Sequence, residues 1–428
     1  MNSAFYYIAG AVFIGLGIAV SIGLHELGHM LPAKKFGVRV PRFMIGFGPT
    51  LFSRKRGETE YGLKLIPLGG YVALLGMQPG DDEFADRKPP RNKLAAWYFR
   101  YVERYRVPSE LEPAESHRAF FKLSAGKKLI VMAGGPVANL ILGVIFASIA
   151  ISGIGFLAPS NTVSDVAVCA DFRADASCPD GDETIAHKYG IQKGDRILSI
   201  DGKSISVADD VRPIMEPLVG KSAVIKFERD GKTIAITAPI ENYKVFNLET
   251  TKYELRPYLG VYFGVERQPQ SLAKVGTFTV EALGSTFSMI GQLPAQAIHA
   301  VAAIGGTERR GSDGAVSIVG IAKVAGDMAA SNGNDWLDTM GMWLLMLSSL
   351  NFALFAFNMI PVLPLDGGHI AAALYGRIKI WWFKSRGLGT PRPVDLALLG
   401  PLTMVGWAAL TLMGILFIIA DIVAPMTL

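Results

Sequence analysis

The stretch AFYYIAGAVFIGLGIAVSIGLHELGHMLP, residues 4–32, decides the fold class of this chain. Residues 4–24 carry no charge, and an uncharged helix of this length can cross the hydrocarbon core of a bilayer. Two histidines and a glutamate follow at once. Ionisable side chains at membrane depth cost free energy and usually mark a functional site. The stretch therefore predicts a membrane-spanning helix that ends in a polar site.

The rest of the chain is only partly apolar. Of its 428 residues, 50% are hydrophobic and 18% are charged, which is too apolar for an ordinary soluble enzyme and too polar for a fully embedded chain. Four uncharged stretches are long enough to span a membrane: 4–24, 129–157, 340–365 and 396–420. We therefore predict a polytopic α-helical membrane protein with four transmembrane helices and two large hydrophilic segments.

The distribution of lysine and arginine predicts the orientation. Basic residues lie near the ends of segment 33–127 and within 371–395, whereas acidic residues lie near the ends of segment 158–335. Positive charge beside a span favours the cytoplasm, so we expect 33–127 and 371–395 inside and 158–335 and both termini outside. Since this pattern explains the net charge of +5, it indicates no nucleic-acid partner.

The polar cluster His25, Glu26 and His29 has the pattern HExxH. Positions four apart share one face of a helix, so both imidazoles can reach one metal ion. In zinc hydrolases with this motif the histidines bind the metal and the glutamate is the general base. The alternative is two ordinary histidines at a membrane interface, which is disfavoured because the chain has only six histidines. A catalytic zinc site needs a third protein ligand.

The stretch NFALFAFNMIPVLPLDGGHI, residues 351–370, supplies candidates for that ligand. Asp366 ends an uncharged run, and the first and third spans must run in the same direction. Asp366 is therefore expected at the depth of His25 and His29. The rival third ligand is His369, and the alternative role of Asp366 is to cap a helix end.

HELGH in a first span and NMIPVLPLDGG in a later one together resemble the site-2 proteases, the zinc metalloproteases of regulated intramembrane proteolysis. Three other stretches resemble the same family. They are residues 43–77, similar to its membrane-associated β region; KKLIVMAGGPVANLILG, 127–143, similar to its second core span; and SIVGIAKVAG, 317–326, similar to the stretch before its third core span.

The resemblance implies one Zn²⁺ per chain, with His25, His29 and Asp366 as ligands and Glu26 as the catalytic base. It implies that Asn358 contacts the substrate backbone; the alternative is an amide that satisfies the broken helix beside it.

The resemblance also implies a protein of the bacterial cytoplasmic membrane whose active site lies toward the cytoplasm. Its expected substrates are single-span membrane proteins, such as anti-sigma factors or remnant signal peptides, after a first cut outside by a site-1-type protease. The alternative function is a membrane-anchored PDZ scaffold with a structural or vestigial metal site. Glu26 argues against that alternative, because a structural site needs no base.

The outer segment contains a module, residues 160–245, that resembles a bacterial PDZ domain. The similarity rests on YGIQKGDRILSIDGKSI, 189–205, a helix expected around 208–218, and a hairpin expected at Asp230-Gly231. Such domains can bind peptides by strand addition. A rigid spacer or size filter is the alternative.

The remaining segments follow from these assignments. They are 1–36, first transmembrane helix; 37–77, membrane-associated β region; 78–127, cytoplasmic loop with an interfacial helix; 128–157, second transmembrane helix; 246–335, outer linker with an amphipathic helix; 336–370, third transmembrane helix; 371–395, cytoplasmic loop; and 396–424, fourth transmembrane helix.

The sequence leaves three points open. Residues 276–304 are expected to lie on the membrane surface, since Glu281 and Pro294 disfavour a fifth span. The β region either pairs with an extended substrate or plugs the catalytic cavity. Cys169 and Cys178 are either disulfide-bonded or free.

Overall fold

The computed structural model describes residues 3–77, 92–104, 113–170, 183–247, 252–308, 310, 317–331, 336–389, 391 and 394–424. Its helices are α1 Ser3–Lys35, α2 Lys93–Arg104, α3 Ala125–Ser148, α4 Ile185–Lys188, α5 Val211–Met215, α6 Leu272–Ile304, α7 Ile318–Ser331, α8 Trp336–Asn358, α9 Asp366–Ser385 and α10 Gly400–Val423. Its strands are β1 Arg42–Arg56, β2 Thr59–Ala73, β3 Phe156–Val166, β4 Arg196–Ile200, β5 Lys203–Ser204, β6 Ser222–Arg229, β7 Lys232–Pro239, β8 Asn242–Asn247, β9 Lys252–Pro257 and β10 Val261–Gln268.

The chain divides into two compact units. One unit comprises Met1–Gly153 with Gln270–Leu428, and the other is Ile154–Pro269. Within the described residues, five helices of the first unit are long and apolar enough to cross a membrane: Ile8–Lys35, Ala125–Ile154, Leu272–Ile304, Trp336–Asn358 and Gly400–Val423. These helices and the β1–β2 region fit a polytopic membrane protein.

The predicted count of four spanning helices is not confirmed, because α6 also passes the test of length and composition. Glu281 and Pro294, which disfavour a fifth span in the sequence, both lie within one continuous helix. A proline inside a long helix removes one backbone donor without necessarily ending the helix, since neighbouring groups can satisfy the freed carbonyl.

The third span breaks at its prolines, as expected, but the loop predicted after it is in part helical. The helix α8 ends at Asn358, before Pro361 and Pro364, and two prolines three residues apart disfavour its continuation. A new helix, α9, begins at Asp366, so residues 371–385 are helical rather than a loop. The helix continues because the stretch after the two glycines is rich in alanine, isoleucine and lysine and contains no proline.

The helix bundle is held together by close backbone approach. A Cβ atom added to Gly28 of α1 would collide with the carbonyl oxygen of Gly134 of α3, and one added to Gly134 would collide with the carbonyl oxygen of Gly28. Small residues at such a crossing let two membrane helices pack backbone to backbone. This contact sets α3 directly against the HELGH turn of α1.

Buried polar bonds fix the position of α8 against the same two helices. The Asn351 amide donates to Ser21 Oγ of α1 at 2.9 Å, and Ser348 Oγ donates to the carbonyl of Gly143 of α3 at 2.7 Å. In hydrocarbon such bonds supply specificity that apolar contacts lack.

The β region forms a small sheet, as predicted, with its charged tip at 54–56 beside the turn at Gly57, where φ is +63°. Residues 43–45 pair on one side with 61–63 and on the other with 70–72. The segment 70–73 is therefore the edge of this sheet, and its other side pairs with no strand in the described part of the chain.

One ion pair connects the hairpin turn of this sheet to the segment before α3. The Arg118 guanidinium donates two hydrogen bonds to Glu58, each 2.8 Å long. These bonds hold the pKa of Glu58 below its usual value. The paired carboxylate therefore stays ionised at neutral pH.

The amphipathic helix expected after the β region is α2, whose Trp97 and Tyr101 rings stack at 5.9 Å between centroids. The rest of the predicted cytoplasmic loop at 78–91 and 105–112 lies outside the described residues.

The second unit is built on one sheet with strand order β10-β3-β4-β6-β7, with β5 on β4 and a separate hairpin of β8 and β9. The expected hairpin at Asp230-Gly231 joins β6 to β7, with both residues at positive φ as its turn type requires. Residues 208–218 form a short helical segment, also as predicted. The fully buried side chains include Ile185, Ile197, Ile200, Met215, Ile225 and Phe227.

The first cysteine of the chain, Cys169, is disulfide-bonded. The other cysteine, Cys178, lies outside the described residues.

Candidate metal centre

Three donor atoms from two helices converge in the bundle. His25 and His29 lie one turn apart on the same face of α1, and Asp366 is the first residue of α9. The Nε2 atoms of His25 and His29 are 3.1 Å apart, and Asp366 Oδ2 lies 3.3 Å from each of them. Within the described residues, no other group of three such side chains meets the geometric criterion for a metal site.

This triangle has the dimensions of a zinc site. Ligands about 2.0 to 2.1 Å from a tetrahedral Zn²⁺ lie about 3.3 to 3.4 Å from one another. Asp366 Oδ2 is buried and has no hydrogen-bond partner in the described part of the chain. A buried anionic oxygen without a donor is costly unless a cation neutralises it. The donor set therefore fits one metal ion.

A glycine of α3 leaves room for that ion. A Cβ atom added to Gly135 would lie 2.7 Å from His25 Nε2 and still closer to His29 Nε2. The space that a side chain would fill is therefore the space in front of the two ligand nitrogens.

The orientation of both imidazoles comes from α3. His29 is 5% exposed, and its Nδ1 lies 2.7 Å from the carbonyl oxygen of Val131. A carbonyl can only accept, so Nδ1 carries the proton and Nε2 presents a lone pair. The Nδ1 of His25 faces the amide of Asn139 at 3.1 Å.

Glu26 lies beside the triangle without belonging to it. The backbone N–H of Val72, on the edge segment of the β region, donates to its carboxylate. A Cβ atom added to Gly70 would lie 3.3 Å from Glu26 Cγ, so the strand edge passes directly over this side chain.

The three converging side chains, Glu26 and Asn139 line one cavity of about 580 Å³. Asn358, at the end of α8, lines it, as do Gly70 and Tyr71 of the strand edge. His369 lines it too, but its imidazole is not part of the group of converging donor atoms. The geometry therefore favours Asp366 over His369 as the third ligand.

The capping alternative for Asp366 has no support. The residue that caps α9 is Leu365, and no side chain makes a capping hydrogen bond there. The Asp366 oxygen faces the two histidines instead.

Sequence reasoning did not assign roles to Val131, Gly135 and Asn139. From the sequence alone, their segment only resembles a core span of the family. Their spacing of four residues was the available signal, since it places them on one face of a helix.

The chain is similar to known proteins over nearly its whole length. A family model described as peptidase family M50 matches residues 13–386. Zinc metalloprotease Rip1 of Mycobacterium tuberculosis is 31% identical over 444 residues, covering 99% of this chain and 99% of that protein. Zinc metalloprotease Rip1 of Mycolicibacterium smegmatis is 29% identical over 455 residues, covering 98% of each.

Proposed function

Because the chain belongs to peptidase family M50, and is thus a zinc metalloprotease of the site-2 type with several membrane helices, we propose that it cleaves single-span membrane proteins after another protease has cut them outside. The observation that carries this proposal is the convergence of His25, His29 and Asp366 beside Glu26 in one cavity of the helix bundle.

We assign His25, His29 and Asp366 as the zinc ligands. The support is the size of the triangle, the unpartnered Asp366 oxygen and the space left by Gly135. When bound, zinc polarises the scissile carbonyl and makes the attacking water more acidic.

Glu26 is the general base in this proposal. Its carboxylate lies in the same cavity as the ligands and is oriented by the Val72 N–H. It takes the proton of the attacking water and returns it to the leaving amine.

The strand edge at 70–73 is the proposed guide for the substrate. A membrane helix hides its peptide bonds in its own hydrogen bonds, so it must unwind before it can be cut. An extended substrate segment added to a free strand edge recovers main-chain hydrogen bonds and is held in register. This edge pairs with no second strand in the described residues and lies over Glu26, which favours guidance over a plug. The Val72 N–H is bonded to Glu26, so a substrate would pair with the other main-chain groups of the edge. Asn358, from the same cavity, is the proposed contact to the substrate backbone.

The second unit is proposed to be a PDZ-like domain outside the membrane that screens substrates. Its strand order, the β6–β7 hairpin and the short helix at 211–215 support that assignment. Anti-sigma factors and remnant signal peptides, once shortened by a site-1-type protease, are the expected substrates.

Helix directions support four spans rather than five. Gly17 of α1 lies against Leu347 of α8, and one turn later Ser21 of α1 contacts Asn351 of α8. Residue numbers therefore increase in the same direction along both helices. These two helices are therefore parallel, and an even number of crossings must lie between the end of α3 and the start of α8. The 14-residue α7 is only about 21 Å long, too short to supply a second crossing.

The contacts of α6 agree with a position on the outer surface. Val275, in its first turn, packs against Ile151, just beyond the end of α3. Ala300, near its last turn, packs against Phe417 near the end of α10. Both of those helix ends are assigned to the outer side, so α6 lies along that side as an amphipathic element.

Cysteine labelling tests this topology. In a background with both native cysteines replaced by serine, we expect Lys232→Cys and Thr307→Cys to react with a membrane-impermeant thiol reagent outside intact cells. Arg56→Cys and Lys384→Cys should react only after the cells are opened. Protection of Thr307→Cys with labelling of Lys232→Cys would place α6 across the membrane. Labelling of Arg56→Cys in intact cells would reverse the orientation.

Direct cleavage tests the function. We expect purified full-length protein in detergent to cut a model single-span segment, and a zinc chelator to stop the cutting. Added zinc should restore cleavage. A metal-loaded, folded protein that leaves several such segments intact would favour the PDZ scaffold.

A further inference from the structure

The tautomer of each ligand histidine is a requirement of the proposed zinc site. A neutral imidazole has one N–H and one lone pair. If Nε2 binds the metal, the proton must lie on Nδ1, and a buried Nδ1–H needs an acceptor. For His29 that acceptor is the carbonyl of Val131.

For His25 the partner is the side chain of Asn139, which is 1% exposed. Its Nδ2 atom faces His25 Nδ1 at 3.1 Å, while its Oδ1 atom is buried and has no partner in the described residues. With the NH₂ group turned toward it, Nδ1 would have to accept, and the proton would move to Nε2. A proton there would occupy the position of the metal.

Rotation of the amide by 180° about its last bond resolves this conflict. The two amide orientations have the same shape, so the choice between them is made by hydrogen bonding. In the rotated orientation, the oxygen that lacks a partner becomes the acceptor for the Nδ1–H of His25.

We propose that Asn139 is a positioning residue of the metal centre: its Oδ1 accepts the Nδ1 proton of His25 and so keeps the Nε2 lone pair directed at the ion. This inference rests on the proposed zinc site. It makes one face of α3 the wall of that site, since Val131, Gly135 and Asn139 follow one another at single turns. Val131 orients His29, Gly135 leaves space for the metal ion, and Asn139 orients His25.

Two substitutions separate hydrogen bonding from packing. Asn139→Leu keeps the volume and removes the acceptor, whereas Asn139→Asp keeps an acceptor and removes the amide donor. We expect Asn139→Leu to weaken zinc binding by about 10- to 100-fold, the usual effect of losing the hydrogen-bond partner of a ligand histidine. Asn139→Asp should retain zinc affinity within a few-fold of the parent protein.

Zinc affinity is measured on purified full-length protein in detergent, by competition with a chromophoric chelator, so no proteolysis is needed. Cobalt substitution adds a spectroscopic readout: the absorption bands of four-coordinate Co²⁺ should persist in Asn139→Asp and be weakened or shifted in Asn139→Leu. Asn351→Leu is the matched control. Its amide is also buried, but it bonds to Ser21 and not to a ligand, so zinc affinity should not change.

Equal zinc affinity in Asn139→Leu and the parent would overturn the inference. A loss in Asn139→Asp as large as in Asn139→Leu would also overturn it, since an acceptor would then not be what the site needs. Asp366→Asn serves as the reference for the site itself. If Asp366→Asn binds zinc normally, the proposed ligand set is wrong. If Asn139→Leu binds zinc normally but Asp366→Asn does not, the ligand set is supported and the proposed role of Asn139 is wrong.

Discussion

Replacing Glu26 with glutamine is expected to abolish detectable proteolysis while leaving about one zinc per chain. Glutamine has nearly the same size as glutamate but cannot take a proton from the attacking water. Loss of a general base typically costs about 10² to 10⁴ in rate. Glu26 lies outside the group of converging donor atoms, so metal content should not fall. Cleavage of a single-span substrate and zinc content are measured on the same preparations.

Two further variants serve as controls for this result. Asp366→Asn should lower both zinc content and cleavage, because a neutral oxygen replaces an anionic ligand. His369→Ala should keep its zinc, since its imidazole lies in the cavity but not among the converging atoms. Normal cleavage by Glu26→Gln would show that Glu26 is not the general base. Full zinc content in Asp366→Asn, with no zinc in His369→Ala, would show that His369 and not Asp366 is the third ligand.

Replacing Gly135 with alanine is expected to remove zinc from the protein, and proteolysis with it. The added methyl group would lie 2.7 Å from His25 Nε2 and closer still to His29 Nε2, so it would occupy the metal position. Withdrawal of α3 to relieve this clash would cost the backbone contact that it makes with α1 at Gly134 and Gly28. The measurement is zinc content of the purified full-length variant, together with its thermal stability in detergent.

Gly126→Ala is the matched control for this variant. It introduces the same methyl group into the same helix, where nothing lies within 4 Å of the new Cβ atom. Its zinc content and cleavage should equal those of the parent protein. If Gly135→Ala is folded and fully loaded with zinc, the metal does not occupy the space in front of the two histidines.

The residues of the candidate site were mostly predictable because their patterns are local. HExxH places two histidines and a glutamate on one helix turn by its spacing alone. The parity of the membrane spans then sets Asp366 at the same depth, without knowledge of the packing. Asp230-Gly231 predicted its hairpin for a similar reason, since few residues tolerate the backbone conformation of that turn.

Two features of the bundle were harder to predict. Residues 272–304 are apolar enough to span and amphipathic enough to lie on a surface, and composition does not separate these cases. Only the contacts of the two ends of α6, together with the parallel directions of α1 and α8, favour the surface position. For 371–385, the basic residues favoured a cytoplasmic loop, whereas the alanine-rich, proline-free composition also permits the helix that the structure shows.

By itself, the sequence determined that this is a membrane protein with a metal site of the HExxH type, because hydropathy and helical spacing act over a few residues. Only the tertiary structure showed which groups of α3 surround that site. Nothing in the sequence around Gly135 and Asn139 indicates a role at the metal site. They reach that site only because α3 crosses α1 at Gly28. Their effect depends on distances of a few ångströms between residues more than 100 positions apart, and no local pattern encodes such distances.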